Sequence, residues 1–439
     1  MSLPPPPTVQ KLQAALHTKA KGSPDYRFYA LYDKVYRRDV LAWAYARCRA
    51  NGGAPGIDGQ TFEDIEAYGL DRWLDELAED LRKRTYSPRP VRRVFIPKGD
   101  GKQRPLGIPC IVDRVVQMAT VLVLEPIFEA DLEPEQFGYR PERSALDAVR
   151  QVERLVRSGQ TEVVDGDLSG YFDAIPHAEL LKSLSRRISD RFVLKLIKMW
   201  LETPVEEIDA RGHRHRTTRN KDEGRGSPQG SPISPMLSNI YMRRFVKGWK
   251  MGGHEQRLKA RIVNYADDFV ICCRGTADEA MATMQRMMSK LRLTVNEAKT
   301  RLCRLPEESF DFLGYTIGRC YSPRTGEAYL GPRPSRRSIQ RFCREISELT
   351  ERRWASRQVD FQVAELNRKL KGSNYFRLGT VQRAYRLVDN HVRYRLRRWL
   401  KAKYKVRGPG KARLGKSQQR NKNDHRTGLA IQDSLPALS

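Results

Sequence analysis

The chain contains one adjacent pair of aspartates, Asp267-Asp268. They sit between the apolar runs Ile262-Val263-Asn264-Tyr265 and Phe269-Val270-Ile271. Two β-type runs around a short tip predict a tight hairpin. Aspartates also serve ordinary turns, so a solvated turn is one reading of the pair. The apolar flanks place the tip beside a core, where two carboxylates repel unless a cation neutralises them. A second segment, Val163-Val164-Asp165-Gly166-Asp167-Leu168-Ser169-Gly170-Tyr171-Phe172-Asp173, reads as a strand running into a helix start. Asp167 falls at the strand end, and the Leu168 carbonyl is a further oxygen beside it. Hard oxygen ligands from two strands suit Mg²⁺, which keeps several waters and also binds phosphate. Two such ions about 3.5–4 Å apart serve in-line phosphoryl displacement. One lowers the pKa of an attacking hydroxyl, and the other stabilises a leaving pyrophosphate.

Elements must position these carboxylates. Periodicity predicts helices over 27–50, 70–84 and 145–157, and strands over 91–97, 162–168, 261–273 and 310–318. Short strands between helices, with hairpins, indicate an α+β domain rather than a doubly wound sheet. Pro and Gly punctuate at Gly331-Pro332-Arg333-Pro334, which predicts a boundary. Beyond it, three amphipathic stripes follow, and Ser335 is placed to cap the first. They are Ile339/Phe342/Ile346/Leu349, Val359/Val363/Leu366/Leu370 and Val381/Tyr385/Val388/Val392/Leu396/Trp399.

Charge separates the two parts. The 439 residues carry 81 Lys+Arg against 52 Asp+Glu, a formal net charge of +29. From Ser335 to Arg407 there are 21 Lys/Arg against 6 Asp/Glu. Arg386, Arg393 and Arg397 decorate the last stripe, either as a solvated face or as a phosphate-tracking surface. So basic a balance favours a polyanionic partner such as nucleic acid. No apolar run approaches the ~18 residues of a membrane span. The seven scattered cysteines make neither a disulfide framework nor a zinc site, so a reducing, cytoplasmic setting is expected.

The order of motifs resembles the group II intron-encoded reverse transcriptases and their stand-alone bacterial relatives. The motifs are Gly56-Ile57-Asp58-Gly59, then Ile96-Pro97-Lys98 through Gln103-Arg104-Pro105-Leu106-Gly107-Ile108-Pro109, then Gln136-Phe137-Gly138-Tyr139-Arg140-Pro141. Gly226-Ser227-Pro228-Gln229-Gly230 through Leu237-Ser238-Asn239 comes next, before Tyr265-Ala266-Asp267-Asp268. Asn296-Glu297-Ala298-Lys299-Thr300 and Phe312-Leu313-Gly314-Tyr315 complete the order.

The resemblance implies a right-hand polymerase that makes DNA on an RNA template from a DNA or RNA primer. It implies a proline-rich tail over 1–25, a mainly helical extension over 26–90, fingers and palm over 91–331, a helical thumb or maturase domain over 332–407, and a basic, disordered tail over 408–439. It implies that Asp167, Asp267 and Asp268 hold two Mg²⁺ ions, with Leu168 as an extra ligand. Lys98 and Arg104 would grip the triphosphate, and Phe172 would gate against a 2′-OH. Gln229 would line the nucleotide pocket, and Lys299 would protonate pyrophosphate. Ser234-Pro235 after that pocket motif suits a helix start, with Ser234 as the cap. Tyr265, Gly314 and Tyr315 would meet nucleic acid, with Tyr171 a further ring beside the acidic centre. No H-N-H endonuclease is expected after Arg407. Folded intron RNA is an implied partner, a DNA target a further one, and no membrane is involved. Three roles stay open: a mobile-intron protein, a domesticated enzyme of repair or phage defence, and an RNA-binding splicing cofactor without polymerase activity.

Overall fold

The computed structural model describes residues 4–97, 103–208, 211, 213–322, 324–372 and 376–405. The chain forms two compact units, Met1–Ala148 with Glu162–Leu302, and Val149–Thr161 with the described residues from Cys303 on. Its strands are β1 (Val91–Pro97), β2 (Gln103–Ile108), β3 (Glu162–Gly166), β4 (Val205–Ile208), β5 (Arg214–Thr217) and β6 (Arg261–Tyr265). They continue as β7 (Asp268–Cys273), β8 (Arg301–Arg304), β9 (Phe310–Phe312), β10 (Tyr315–Tyr321) and β11 (Ala328–Pro334).

The acidic hairpin forms because its strands bury both faces. Ile262, Val263, Phe269, Val270 and Ile271 are all buried, as continuous apolar runs in a covered sheet should be. β6 and β7 pair antiparallel, closing with Tyr265 opposite Asp268. β7 also pairs antiparallel with β3, Asp165 opposite Val270 and Gly166 opposite Phe269. The resulting sheet has the order β6-β7-β3-β8. Gly166 carries no side chain because the Phe269 ring lies where its Cβ would stand. That close approach lets β3 and β7 draw their carboxylate-bearing ends together. A second sheet has the order β2-β1-β4-β5.

Helix Ile111–Glu129 runs through the core of the first unit, with Val115, Ala119, Leu122 and Ile127 buried. It is apolar on nearly every side and has no stripe for a periodicity argument to find. Helix Ser234–Met251 buries Tyr241, Phe245 and Trp249, and Phe245 meets Phe269 with ring centroids 5.5 Å apart.

Several sequence expectations change. The segment expected to be a tail over 1–25 contains a helix, Pro7–Gly22, with Val9, Leu16 and Ala20 buried. The helix expected over 27–50 is divided. Phe28 bridges to Ile188, and Asp190 Oδ2 accepts the N–H groups of Leu31 and Tyr32 at 2.8 Å. Helix Arg38–Asn51 begins only after them, because tertiary partners take the backbone groups a longer helix would use. Gly331-Pro334, expected to separate domains, lies inside β11, paired along its length with β10.

In the second unit, β9, β10 and β11 form an antiparallel sheet. Helices Arg336–Leu349, Val359–Lys371 and Gln382–Lys403 follow. Ser335 does cap the first, its hydroxyl accepting from the Ser338 N–H at 3.2 Å. Phe342, Ile346, Leu366, Phe376, Val388 and Val392 make the core between them. The basic tail over 408–439 lies outside the described residues.

Candidate active site

Ala266 and Asp267 form the two-residue tip of the acidic hairpin. Ala266 has φ +58°, a left-handed conformation that costs an alanine on the order of 1 kcal/mol. A buried polar frame holds it there. Asn264 is fully buried, and its Nδ2 donates to the carbonyls of Ala266 (2.8 Å) and Asp268 (3.3 Å). Its backbone N–H donates to Glu135 O at 2.9 Å, and its carbonyl accepts from Phe137 N–H at 2.8 Å. The Gln136–Pro141 motif thus serves as an outer rail for β6. Gln136 Nε2 donates to Asn239 O at 3.0 Å, and Asn239 Nδ2 donates to Gly138 O at 2.6 Å. A Cβ on Gly138 would collide with the Ala266 backbone N. Removing one partner of such a buried pair costs roughly 1–3 kcal/mol, enough to matter for a strained tip.

Asp167 follows β3 directly. Its carboxylate Oδ2 accepts from Asn296 Nδ2 at 2.9 Å and from Lys299 Nζ at 3.1 Å. Lys299 is two-thirds exposed, so this ion pair contributes only about 0–1 kcal/mol and exchanges readily. One residue pair earlier, Asp165 Oδ2 accepts from Arg301 Nε at 3.4 Å. Desolvation pushes the Asp268 acid up to about 7, reinforced by the charges of Asp267, Asp167 and Asp165 and opposed by Lys299. Asp268 nevertheless keeps an exposed surface, so water reaches this crowded set.

The donor chemistry fits a divalent cation. The charges of Asp267, Asp167 and Asp165 are near enough to raise the proton affinity of Asp268, and an ammonium already rests on Asp167. Among the described residues, no three His, Cys, Asp or Glu side chains form a ready-made metal cage. The fit is therefore one of charge and ligand type.

The glycine-proline loop is tied to the segment after Asp167. Ser227 N–H donates to Phe172 O (2.8 Å), and Gly226 N–H donates to Ile175 O (2.9 Å). Gly107 N–H of β2 donates to Gln229 O at 2.6 Å, and Gln229 Nε2 reaches Asp173 Oδ2 at 3.4 Å. Arg93, Gly107, Asp173, Asn220 and Gln229 line a small cavity here. Phe172 itself is 6% exposed and packs in the core. Ser234, expected as a helix cap, is instead the first helical residue, and its hydroxyl donates to Pro228 O at 2.9 Å. Lys98 lies outside the described residues, and Arg104 is described only as part of β2.

The structure thus gathers Asp167, Asp267, Asp268 and Lys299, and separately Gln229 with Asp173 and the Gly107 backbone. Tyr265 flanks the tip, half-buried. Two expected contacts change. Tyr171 is buried, its hydroxyl donating to Ser238 O at 2.6 Å. Tyr315 is fully buried, so its ring is a core residue and not a nucleic-acid contact. Only the turn before it, Leu313 (φ +47°) and Gly314 (φ +81°), is presented. Arg386, Arg393 and Arg397 are exposed on helix Gln382–Lys403. Sequence reading places Asn264, Asn296 and Thr300 within its motifs but gives them no role; the signal for the first is a polar residue inside an apolar strand.

Residues 96–317 match the family model for reverse transcriptase (RNA-dependent DNA polymerase), and residues 339–417 match the group II intron maturase-specific domain. The chain belongs to the reverse transcriptase family, in its group II intron branch. It is 34% identical over 348 residues to Protein YkfC of Escherichia coli (strain K12), covering 71% of this chain and 88% of that protein. It is 27% identical over 355 residues to the group II intron-encoded protein LtrA of Lactococcus lactis subsp. cremoris, covering 67% of this chain and 57% of that one. The chain thus spans little more than half of LtrA. Reverse transcriptases are RNA-directed DNA polymerases that depend on divalent metal, which accords with the acidic centre. Among the described residues, no helix is long and apolar enough to cross a membrane.

Proposed function

We propose that this chain extends a primer 3′-OH with deoxynucleotides on an RNA template, at a centre made by Asp167, Asp267 and Asp268. The observation that carries this reading is the meeting of two strand ends, where the charges of Asp167 and Asp267 bear on Asp268. These three side chains, with the Leu168 carbonyl, would hold two Mg²⁺ ions. When bound, such ions activate a hydroxyl and neutralise charge on a leaving pyrophosphate. The primer oxygen forms its bond to the α-phosphorus as the bond to the bridging oxygen breaks, and pyrophosphate leaves. Lys299, exposed and paired with Asp167, would donate a proton to that leaving group.

Lys98 and Arg104 would bind the triphosphate, since an ammonium and a planar guanidinium both suit phosphate. Gln229 would form the pocket floor with Asp173. Phe172 would exclude a 2′-OH through the small part of its surface left open. In hand terms, fingers and palm would run from residue 91 to the end of β11, and the thumb would be the three helices that begin at Arg336. The exposed arginines of helix Gln382–Lys403 would track the phosphates of primer–template or of folded intron RNA, so that one chain serves mobility and splicing in the cytoplasm.

Primer extension on a defined RNA template, native against Asp267→Ala, tests the core of this. Extension lost in the variant supports it. No extension by native protein that still binds RNA tightly would favour a splicing cofactor without polymerase activity. Intron RNA sequence flanking the gene separates an intron-borne protein from a domesticated one. Phe172→Ala should loosen sugar selection; an unchanged deoxynucleotide preference sinks the gate.

A further inference from the structure

One five-residue turn holds Asp167. Asn296 N–H donates to the Asp167 carbonyl at 2.9 Å, and Asn296 Nδ2 donates to Oδ2 at 2.9 Å. At the other end, Thr300 Oγ1 accepts from the Asp167 N–H at 3.2 Å. The turn is closed by the N–H groups of Lys299 and Thr300 on Asn296 O, at 3.1 and 2.8 Å. A bridge between Leu168 and Val295, with Ser169 N–H on Thr294 O at 2.9 Å, continues the attachment. Both backbone groups of Asp167 and one of its carboxylate oxygens are therefore fixed from a single segment. Lys299 Nζ shares that same Oδ2 at 3.1 Å. Among the described residues, Oδ1 accepts no hydrogen bond.

We propose that Asn296 is a positioning residue for the polymerase reaction, which anchors Oδ2 of Asp167 and leaves Oδ1 facing the cation site. The proposal rests on the reading that Asp167 binds a catalytic cation. Its physical basis is the difference between the two donors on one oxygen. Lys299 is exposed and charged, and an arriving divalent cation repels it. Asn296 is half-buried and neutral, so the same cation does not expel it. When the ammonium swings away, the amide keeps the carboxylate from turning. Thr300 does the corresponding work for the backbone. A ligand oriented in advance needs no reorganisation when the cation or the transition state arrives. Outer partners of metal ligands change affinity or activity by roughly 10–100-fold when removed.

The test uses the full chain and two readouts. Mn²⁺ binding to protein without nucleic acid is followed by electron paramagnetic resonance, and primer extension is followed with kcat and KM separated. Asn296→Ala should weaken Mn²⁺ binding about tenfold and lower kcat by a similar factor. KM for deoxynucleotide, affinity for primer–template and Tm should stay near native. Lys299→Met should lower kcat while Mn²⁺ binds as tightly as to native protein or more so, because a competing cation is gone. Native Mn²⁺ affinity and native kcat in Asn296→Ala would overturn the proposal. Should Asn296→Ala fold poorly, Asn296→Ser, which keeps a short donor, goes through the same assays. Poor folding in both variants assigns Asn296 a structural role and also overturns the proposal. Native protein that neither binds Mn²⁺ nor extends a primer overturns the polymerase reading itself. Native extension with an indifferent Asn296→Ala overturns the positioning role alone.

Discussion

Two hairpins in this chain use similar two-residue turns to opposite ends. In the acidic hairpin the strands are buried and the tip presents carboxylates, Asp267 half-buried and Asp268 exposed. In the hairpin of β9 and β10 the tip presents backbone at Leu313 and Gly314, while Phe312 and Tyr315 are buried. Both tips need left-handed residues; the acidic one is braced by a buried amide network through Asn264, Gln136 and Asn239, and at the other the Ser335 N–H donates to Gly314 O at 2.9 Å. The difference shows what charge presentation demands. Adjacent carboxylates must be held against their own repulsion, which calls for fixed donors behind the tip. The apolar hairpin presents no charge at its tip, and one backbone donor from the segment after β11 meets it.

The largest expected effect tests the charge itself. Asp267→Asn should reduce primer extension by about 10³-fold or more, on the scale of losing a preorganised electrostatic group, with Tm little changed. Retained extension would remove this carboxylate from the chemistry. On the apolar side, Tyr315→Ala should cost about 3–5 kcal/mol of stability in the second unit, whereas Tyr315→Phe should leave RNA affinity intact. Weak RNA binding by a stably folded Tyr315→Phe would restore the nucleic-acid contact.

Gly138→Ala probes the brace. The new Cβ must displace Ala266, and a misplacement near 1 Å costs on the order of 10²-fold in rate; equal kcat would mean that the tip tolerates movement. The triple change of Arg386, Arg393 and Arg397 to Gln should weaken RNA binding roughly tenfold and flatten the log–log salt slope by about 2. An unchanged slope would make these arginines a plain solvated face.

The smallest effect is a pH dependence. The Asp268 acid is raised from 3.8 to about 7, so the folded state binds the extra proton in between. Metal-free stability should therefore fall as pH rises from about 4 to about 7. Asp113, buried in helix Ile111–Glu129 and raised to about 6 by desolvation, adds the same sign over a narrower window. Thermal melts of native protein and Asp268→Asn in chelator should differ in slope above pH 6, where the Asp113 contribution has ended. Divalent metal should pull the acidic limb of the rate profile downward, since the cation favours the carboxylate form.

Much of this was legible in the chain. The Asp-Asp hairpin, the strand before Asp167 and the three C-terminal helices follow from local apolar period, which burial on one or two faces imposes directly. The strand over 91–97 and the helix over 145–157 coincide with β1 and Ala145–Arg157. Other features were decided by partners distant in sequence. Helix Ile111–Glu129 has no polar face to mark it. The division of the segment over 27–50 depends on Asp190 and Ile188. Tyr315 looks the same in sequence whether its ring meets water or core.

The sequence by itself determined which residues carry charge, in what order, and on which kinds of element. That follows from side-chain chemistry and short-range periodicity alone. Tertiary structure alone decided that Asn296 and Thr300 close around Asp167, that Gly138 backs the Ala266 turn, and that Tyr171 and Tyr315 are buried. The hydrogen bonds among these join residues 67 to 133 positions apart. The sequence carries each partner of such a contact but no periodic signal of the pairing.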